Sequence, residues 1–208
     1  MSSNGNHAPL LLLVSAPSGG GKTTLCQQLL ASRPELTRAI TCTTRAPRPG
    51  ERDGIDYYFL DAAAFEKRVA AGDFLEHATV FGNRYGTLRS EVRERLRSGQ
   101  DVLLSIDVQG ARAVRTQARN DAELNRSLVT IFLTPPSVSI LEERLRQRNT
   151  DAPEVIQRRL GEARHEFAQW PEFDYLLIST SVSEDLRRAL AIVEAEKMRA
   201  SRAKAPRL

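Results

Sequence analysis

Residues Pro9–Thr24 read PLLLLVSAPSGGGKTT. An apolar run stops at a glycine-rich turn, and a lysine and two threonines then open an amphipathic segment. The pattern reads as a buried strand, a phosphate loop and a helix start. In such a loop successive backbone N–H groups point inward and cradle phosphate oxygens. Ala16, Pro17 and Ser18 lead into Gly19, Gly20 and Gly21, whose missing side chains let the backbone approach an anion closely. Lys22 would reach the terminal phosphates, and the Thr23 hydroxyl would ligate Mg²⁺. Thr24 continues into a helix whose positive dipole end favours the same anion. The strict pattern G-x-x-x-x-G-K-[ST] has a glycine where this chain has Ala16. The competing reading is a surface turn with a chance lysine. The strand before the turn and the helical pattern after it argue against that. The loop points to a nucleoside polyphosphate and leaves the phosphate acceptor open.

A chain of 208 residues allows one sizeable core with inserted subdomains. Its longest apolar run, Pro9–Val14, is too short to span a bilayer. Met1–Ala8 lacks the basic start and apolar centre of a signal peptide. Cys26 and Cys42 read as reduced structural thiols, which suggests a cytoplasmic protein. The net charge of +4 is spread along the chain, and only Lys197–Arg207 concentrates it. That segment reads first as a solvated helix end and a frayed terminus, which argues against nucleic acid as the main partner. Mild basicity also suits polyanionic substrates. A nucleic-acid role for the tail and a homo-oligomer both stay open.

Strands and helices alternate after the loop. Short strands are expected at 39–42 and 57–60, and a helix over 61–71 with Asp61 as its N-cap. A strand is expected over 74–81 and a charged helix over 87–98. Buried strands follow at 102–106, 128–133 and 173–178. Helices are expected over 110–118, 137–148, 153–169 and 183–200. This is an α/β pattern with a mainly parallel core sheet. It is interrupted by a turn-rich stretch over 37–85, suited to a small antiparallel or mixed unit, and by an arginine-rich helical stretch over 135–165.

Four further constellations carry chemistry. In Thr41–Glu51, TCTTRAPRPGE, two prolines stiffen a segment bearing Arg45 and Arg48. Rigidly presented guanidiniums suit a second phosphate, with Tyr57 and Tyr85 as hydroxyl donors. An exposed basic loop fits the same residues equally well. In Phe74–Thr87, Glu76 sits among apolar neighbours on an expected strand. A carboxylate there can accept the adjacent N1–H and N2–H₂ donors of guanine, and Thr41 or Thr87 can donate to O6. Adenine offers neither N1–H nor O6. An ordinary cross-strand ion pair also explains Glu76 on its own. Asp107 ends a core strand, where ligands of open α/β sheets collect. It suits the metal shell, the acceptor base or a solvated loop. Arg144 and Arg148 share a helix face without an acid four residues earlier. Like charges at that spacing repel unless an anion joins them. With Arg159 they suit a mobile lid that clamps a transferring phosphoryl group. His77 and His165 have no metal-ligand partners at suitable spacing.

Four blocks in this order, TTRAPRPGE with the DYYF that follows, FLEHATVFGNRYGT, IDVQG and LEERLRQRNT, resemble the guanylate kinase family over about Leu10 to Met198. The resemblance implies a P-loop kinase fold and transfer of the γ-phosphoryl group of ATP to GMP with Mg²⁺. It implies a core over 9–36, 88–134 and 169–208, a GMP-binding insertion over 37–87, a lid over 135–168 and a disordered stretch over 1–8. Residues matching Arg45, Arg48, Tyr57 and Tyr85 hold the GMP phosphate in that family. Those matching Thr41, Glu76, Thr87 and Asp107 serve the guanine, with Gly86 beside them. Lys22, Arg144, Arg148 and Arg159 match groups that stabilise the transferring phosphate. Residues 16–24 match the ATP-binding loop, and Ala16 is a familiar bacterial variant.

This chain departs from the family pattern at several positions. Ser105 replaces an acid, Asn149 a glycine, and Ser179–Thr180–Ser181 an Asn-Asp-Asp expected near the adenine. Thr41 and Thr87 replace serines and keep the hydroxyl. Two alternatives remain: a related kinase for a phosphorylated sugar, and a non-catalytic module of the same family. Glu76 with its two threonines argues against the first, and Lys22 with Thr23 against the second.

Overall fold

The computed structural model describes residues 7–80, 82–147 and 153–203. The apolar run after Pro9 becomes β1 (Leu11–Ser15), the middle strand of a parallel sheet. It pairs with β7 (Asp101–Ser105) on one side and β8 (Leu128–Thr134) on the other. β2 (Leu36–Arg38) and β9 (Tyr175–Ile178) close the edges, giving the order β2-β7-β1-β8-β9. Side chains alternate along a strand. Leu12 and Val14 therefore face α1 (Lys22–Ser32) and α8 (Val182–Met198), whose Leu25, Leu29, Ile192 and Val193 share that core. Leu11 and Leu13 face α3 (Arg89–Arg97), α4 (Val108–Arg119) and α5 (Ala122–Ser127) through Val92, Val114 and Leu124. Burial on both faces is why the strand reads as an unbroken apolar run.

A second sheet has the order β4-β3-β6-β5, formed by β3 (Thr41–Thr43), β4 (Tyr58–Phe59), β5 (Phe74–Val80) and β6 (Asn83–Leu88). It is mixed: β3 runs parallel to β4, and β6 runs antiparallel to both β3 and β5. α2 (Ala62–Ala70) covers it. Asp61 caps that helix by accepting from the Ala64 N–H, as expected. Phe65 stacks on Phe74 with ring centroids 4.6 Å apart.

Several elements differ from the sequence reading: β2 and α5 were not expected, and α4 begins two residues earlier, at Val108. The strand expected over 39–42 begins only at Thr41, as β3, while Leu36–Arg38 before it forms β2; Ala39 and Ile40 carry the chain from one sheet to the other. The helix expected from Thr87 starts at Arg89, and Thr87 belongs to β6. Asn83–Leu88, NRYGTL, has no apolar alternation. Backbone pairing on both sides makes it a strand.

α6 (Val138–Gln147) and α7 (Pro153–Phe167) share a small core of their own, built from Leu141, Leu145, Ile156, Leu160 and Ala163. Of the segment over 1–8, His7 bridges to Ala203 and the Ala8 N–H donates to the Arg202 carbonyl. No described helix is long and apolar enough to cross a membrane. Cys26 and Cys42 are buried free thiols.

Candidate active site

The loop after β1, Asp107 after β7 and the serines after β9 all leave the carboxyl edge of the parallel sheet. Ligands of such sheets gather at that edge. Gly19 and Gly21 have φ of 87° and 98°, left-handed values that only glycine adopts without strain. Gly21 caps α1, so the helix begins at Lys22. A Cβ on Gly19 would lie 2.9 Å from Leu145 Cδ2, so the base of α6 rests directly on the phosphate loop.

Three clefts open around this loop. The first, about 570 Å³, is lined by residues 16–19, Gly21, Lys22, Thr23, Asp107 and Gln109, with Glu162 and Glu166 opposite. The second, about 230 Å³, is lined by Lys22, Thr41, Tyr57, Glu76, Tyr85, Ser105 and Asp107. Lys22 and Asp107 line both, so the two cavities meet at the lysine. The third, about 370 Å³, lies past Gly21 and Thr24 and is walled by Arg144 and Ser179–Val182.

Lys22 Nζ donates to the Ile106 carbonyl at 2.8 Å. Burial lowers its pKa, while Asp107, Glu166 and Glu76 oppose the shift. Asp107 caps α4, its Oδ1 accepting from the Gly110 N–H at 2.8 Å. This capping role was not legible in the sequence reading.

Glu76 is only 4 % exposed. It sits opposite Thr87, which in turn pairs with Thr41 across β6, so backbone register gathers the three residues. Thr87 Oγ1 donates to Glu76 Oε1 at 2.6 Å. Desolvation pushes the Glu76 carboxyl up to about 7, although the Thr87 hydroxyl favours the anion. Among the described residues no cation forms an ion pair with it, and the Thr87 hydroxyl is its cross-strand partner.

Arg45 is not a bare basic side chain. Its Nη2 donates to both Glu51 oxygens at 2.9 Å, its Nη1 donates to the Ala46 carbonyl at 2.6 Å, and the guanidinium lies 5.4 Å from the Tyr57 ring centroid. The Arg48 N–H and then the Arg45 guanidinium hold Glu51 below the usual carboxylate range. Tyr57 and Tyr85 meet edge to face at 6.2 Å. Arg48 is exposed, and neither arginine lines the 230 Å³ cavity. Gly86 does not line it either. A Cβ there would lie 2.8 Å from the Phe74 ring, so packing accounts for this glycine.

Arg144 reaches the third cleft, beyond the loop from Glu76. Arg159, on α7, lines none of the three clefts. Arg148 and Asn149 lie outside the described residues. In the Ser179–Ser181 loop, Ser179 Oγ donates to Asp185 at 2.6 Å, the Thr180 N–H donates to the same carboxylate, and Ser181 caps α8.

One residue escaped the sequence reading. Glu166 on α7 accepts from the Ser18 N–H of the phosphate loop at 3.2 Å, and desolvation pushes it up to about 7. The signal was present: Glu162 and Glu166 are like charges at i,i+4, an arrangement favoured only near a cation. Lys22 is that cation.

Among the described residues, no group of three or more His, Cys, Asp or Glu side chains could hold a metal as a cage. The Thr23 hydroxyl on the first cleft is a hard oxygen donor. A single such donor fits Mg²⁺, which keeps several waters and phosphate ligands.

The guanylate kinase family model matches residues 9–196. A guanylate kinase of Alkalilimnicola ehrlichii is 47% identical over 92% of this chain and 91% of its own length. One of Paramagnetospirillum magneticum is 45% identical over 93% of this chain and 87% of its own length. The crystal structure of guanylate kinase from Anaplasma phagocytophilum superposes with a TM-score of 0.75 at 32% identity, covering 95% of this chain and 90% of that one.

Proposed function

The chain belongs to the guanylate kinase family, and on that premise we propose which of its side chains carry the reaction. It is an enzyme that moves the γ-phosphoryl group of ATP to GMP. The single observation that carries the assignment is a buried carboxylate, Glu76, in a cavity that the phosphate-loop lysine also lines. Glu76 accepts the N1–H and N2–H₂ edge of guanine. The Thr87 hydroxyl proton is already engaged by Glu76, so Thr41 on the cavity wall is the donor to O6. Asp107 completes the base side.

Tyr57 and Tyr85 point the acceptor phosphate toward Arg45 and Arg48, which close over it from the cavity rim. Arg45 exchanges its bond to Glu51 for a charge-assisted one to phosphate. Residues 16–24 cradle the donor phosphates, and Thr23 is the protein ligand to Mg²⁺. When bound, Mg²⁺ neutralises charge on the donor phosphates.

Lys22 stands where the two cavities meet, so one cation serves donor and acceptor oxygens. The acceptor phosphate has a second pKa near about 6 and is largely dianionic at neutral pH. It needs no general base, and catalysis is positioning plus charge neutralisation. Arg144, Arg148 and Arg159 bring further positive charge when the lid over 135–168 closes on the insertion over 37–87. Closure excludes water, which would otherwise hydrolyse ATP. Buried free cysteines support a cytoplasmic location.

A coupled ADP-release assay with ATP against GMP, AMP, UMP and ribose phosphates tests this reading. Turnover is expected with GMP alone. Glu76→Ala should raise the KM for GMP by about tenfold to a hundredfold, the worth of one or two charge-assisted hydrogen bonds. Unchanged preference for GMP over AMP in that variant would overturn the base-reader assignment.

A further inference from the structure

The position of the Glu76 carboxylate depends on a glycine that belongs to a different element. Gly110 lies in the first turn of α4 and is buried. Its backbone does not require glycine, because the residue is helical and is absent from the positive-φ glycines. Glycine is among the poorest helix formers, so local propensity disfavours it here. The space it leaves accounts for its presence. A Cβ built on Gly110 would lie 2.7 Å from Glu76 Oε2, 3.2 Å from Glu76 Cδ and 3.2 Å from Ile106 Cδ1. Real Cβ atoms do not come that close to an oxygen. Glu76 is therefore fixed from two sides: Oε1 takes the Thr87 hydroxyl at 2.6 Å, and Oε2 lies over the bare Cα of Gly110. The same residue ties α4 to the end of β7, since its N–H donates to Asp107 at 2.8 Å.

We propose that Gly110 is a positioning residue for acceptor specificity: its missing side chain sets where the Glu76 carboxylate sits, and so where the guanine edge is read. This rests on Glu76 being the base reader. A methyl group at 110 pushes the flexible end of Glu76 aside and leaves the backbone intact. The fold survives, and the carboxylate loses its aim.

The test is a set of variants assayed for KM and kcat with GMP, AMP and ATP, with melting temperature measured alongside. Gly110→Ala should melt no lower than the parent. It should raise the KM for GMP at least tenfold, narrow the preference for GMP over AMP, and leave the KM for ATP unchanged. Glu76→Asp, with a side chain one methylene shorter, should by itself raise the KM for GMP. Combined with Gly110→Ala, it should give a lower KM for GMP than Gly110→Ala alone, because the shorter acid withdraws from the methyl group. In a Glu76→Ala background, adding Gly110→Ala should change nothing further.

A parental KM for GMP in Gly110→Ala, while Glu76→Ala raises it, would overturn the inference and leave the base reader standing. A further rise on adding Gly110→Ala to Glu76→Ala would also overturn it, because the methyl group would then act on something other than the carboxylate. If Glu76→Ala itself kept the preference for GMP, the base reader would fall first and this inference with it. If Gly110→Ala alone did not fold, a folded Glu76→Ala/Gly110→Ala protein would support the clash, and an unfolded one would overturn it.

Discussion

As the proposed base reader, Glu76 couples stability, pH and recognition in one side chain. Desolvation raises its folded-state value from the ordinary 4.5 to about 7. Its contribution to stability is therefore fully present below about 4.5 and is lost as pH rises through about 7. In its proposed role Glu76 accepts the donors of the guanine edge, which needs the anion, so binding GMP should release the proton. The KM for GMP should fall as pH rises from 6 to 8, with its midpoint near 7. The phosphate of GMP also gains charge near the bottom of this range, so the comparison with Glu76→Gln isolates the carboxylate. Steady-state KM across that window should lose its step near 7 in Glu76→Gln and lie at least tenfold higher at pH 8. The residue type was legible, since an acid among apolar neighbours on a strand demands donors. Its partner was not, because Thr87 reaches it through strand register.

Elements place the catalytic groups, and they differ in how well local sequence specifies them. The strand, loop and helix from Leu11 to Ser32 were legible because the period of the pattern changes abruptly at the glycines. β6 was not: Asn83–Leu88 carries a glycine and no alternation, and it is a strand only because β3 and β5 flank it. The pairing of Arg45 with Glu51, folded back across two prolines, was likewise missed, because it depends on loop shape. α6 and α7 have their own small core and meet the phosphate loop at two points, Leu145 on Gly19 and Glu166 on the Ser18 N–H. Polyphosphate approaching that loop meets the Glu166 carboxylate beside Lys22. Glu166 is also raised to about 7, so it gains negative charge over the window in which Glu76 does. On the donor side that charge repels the ligand. The KM for ATP should rise by roughly threefold to tenfold between pH 6 and 8, about 1 kcal/mol of repulsion in a partly solvated cleft. Glu166→Gln should flatten this dependence and leave the pH dependence of the KM for GMP in place. Measuring both constants on one variant separates the two carboxylates.

At the scale of the whole molecule, four strands of the parallel sheet were readable, because each is a short apolar run; the edge strand β2, Leu36–Arg38, was not, because LTR carries no such run. The ends of the chain were read less well. The basic stretch from Lys197 looked like a solvated tail, yet two of its side chains, Lys197 and Arg202, are drawn inward. Lys197 Nζ lies 2.6 Å from the buried Asp101. Arg202 is 5% exposed, pairs with Glu196 at 2%, and donates to the carbonyls of Arg126 and Leu128, each at 2.9 Å. Tyr175 on the edge strand donates to the same Glu196, and the Arg202 carbonyl receives the Ala8 N–H. One arginine thus joins the start of the chain, the entry to β8, the edge strand β9 and the end of α8. Composition cannot reveal this, because a basic residue near a terminus is usually solvated. Removing Arg202 leaves the buried Glu196 only the more exposed Arg199, 3.2 Å away, and the Tyr175 hydroxyl. Arg202→Ala should therefore destabilise the fold by about 3 kcal/mol, the low end for a broken buried pair, a fall in Tm of roughly 10 °C. The apolar pair Arg202→Met with Glu196→Leu should recover most of that loss, since it removes both desolvation penalties together. Thermal melts of the parent, the single variant and the pair decide the matter. A single variant that melts with the parent would mean that the C-terminal residues are held by packing and backbone hydrogen bonds rather than by this ion pair.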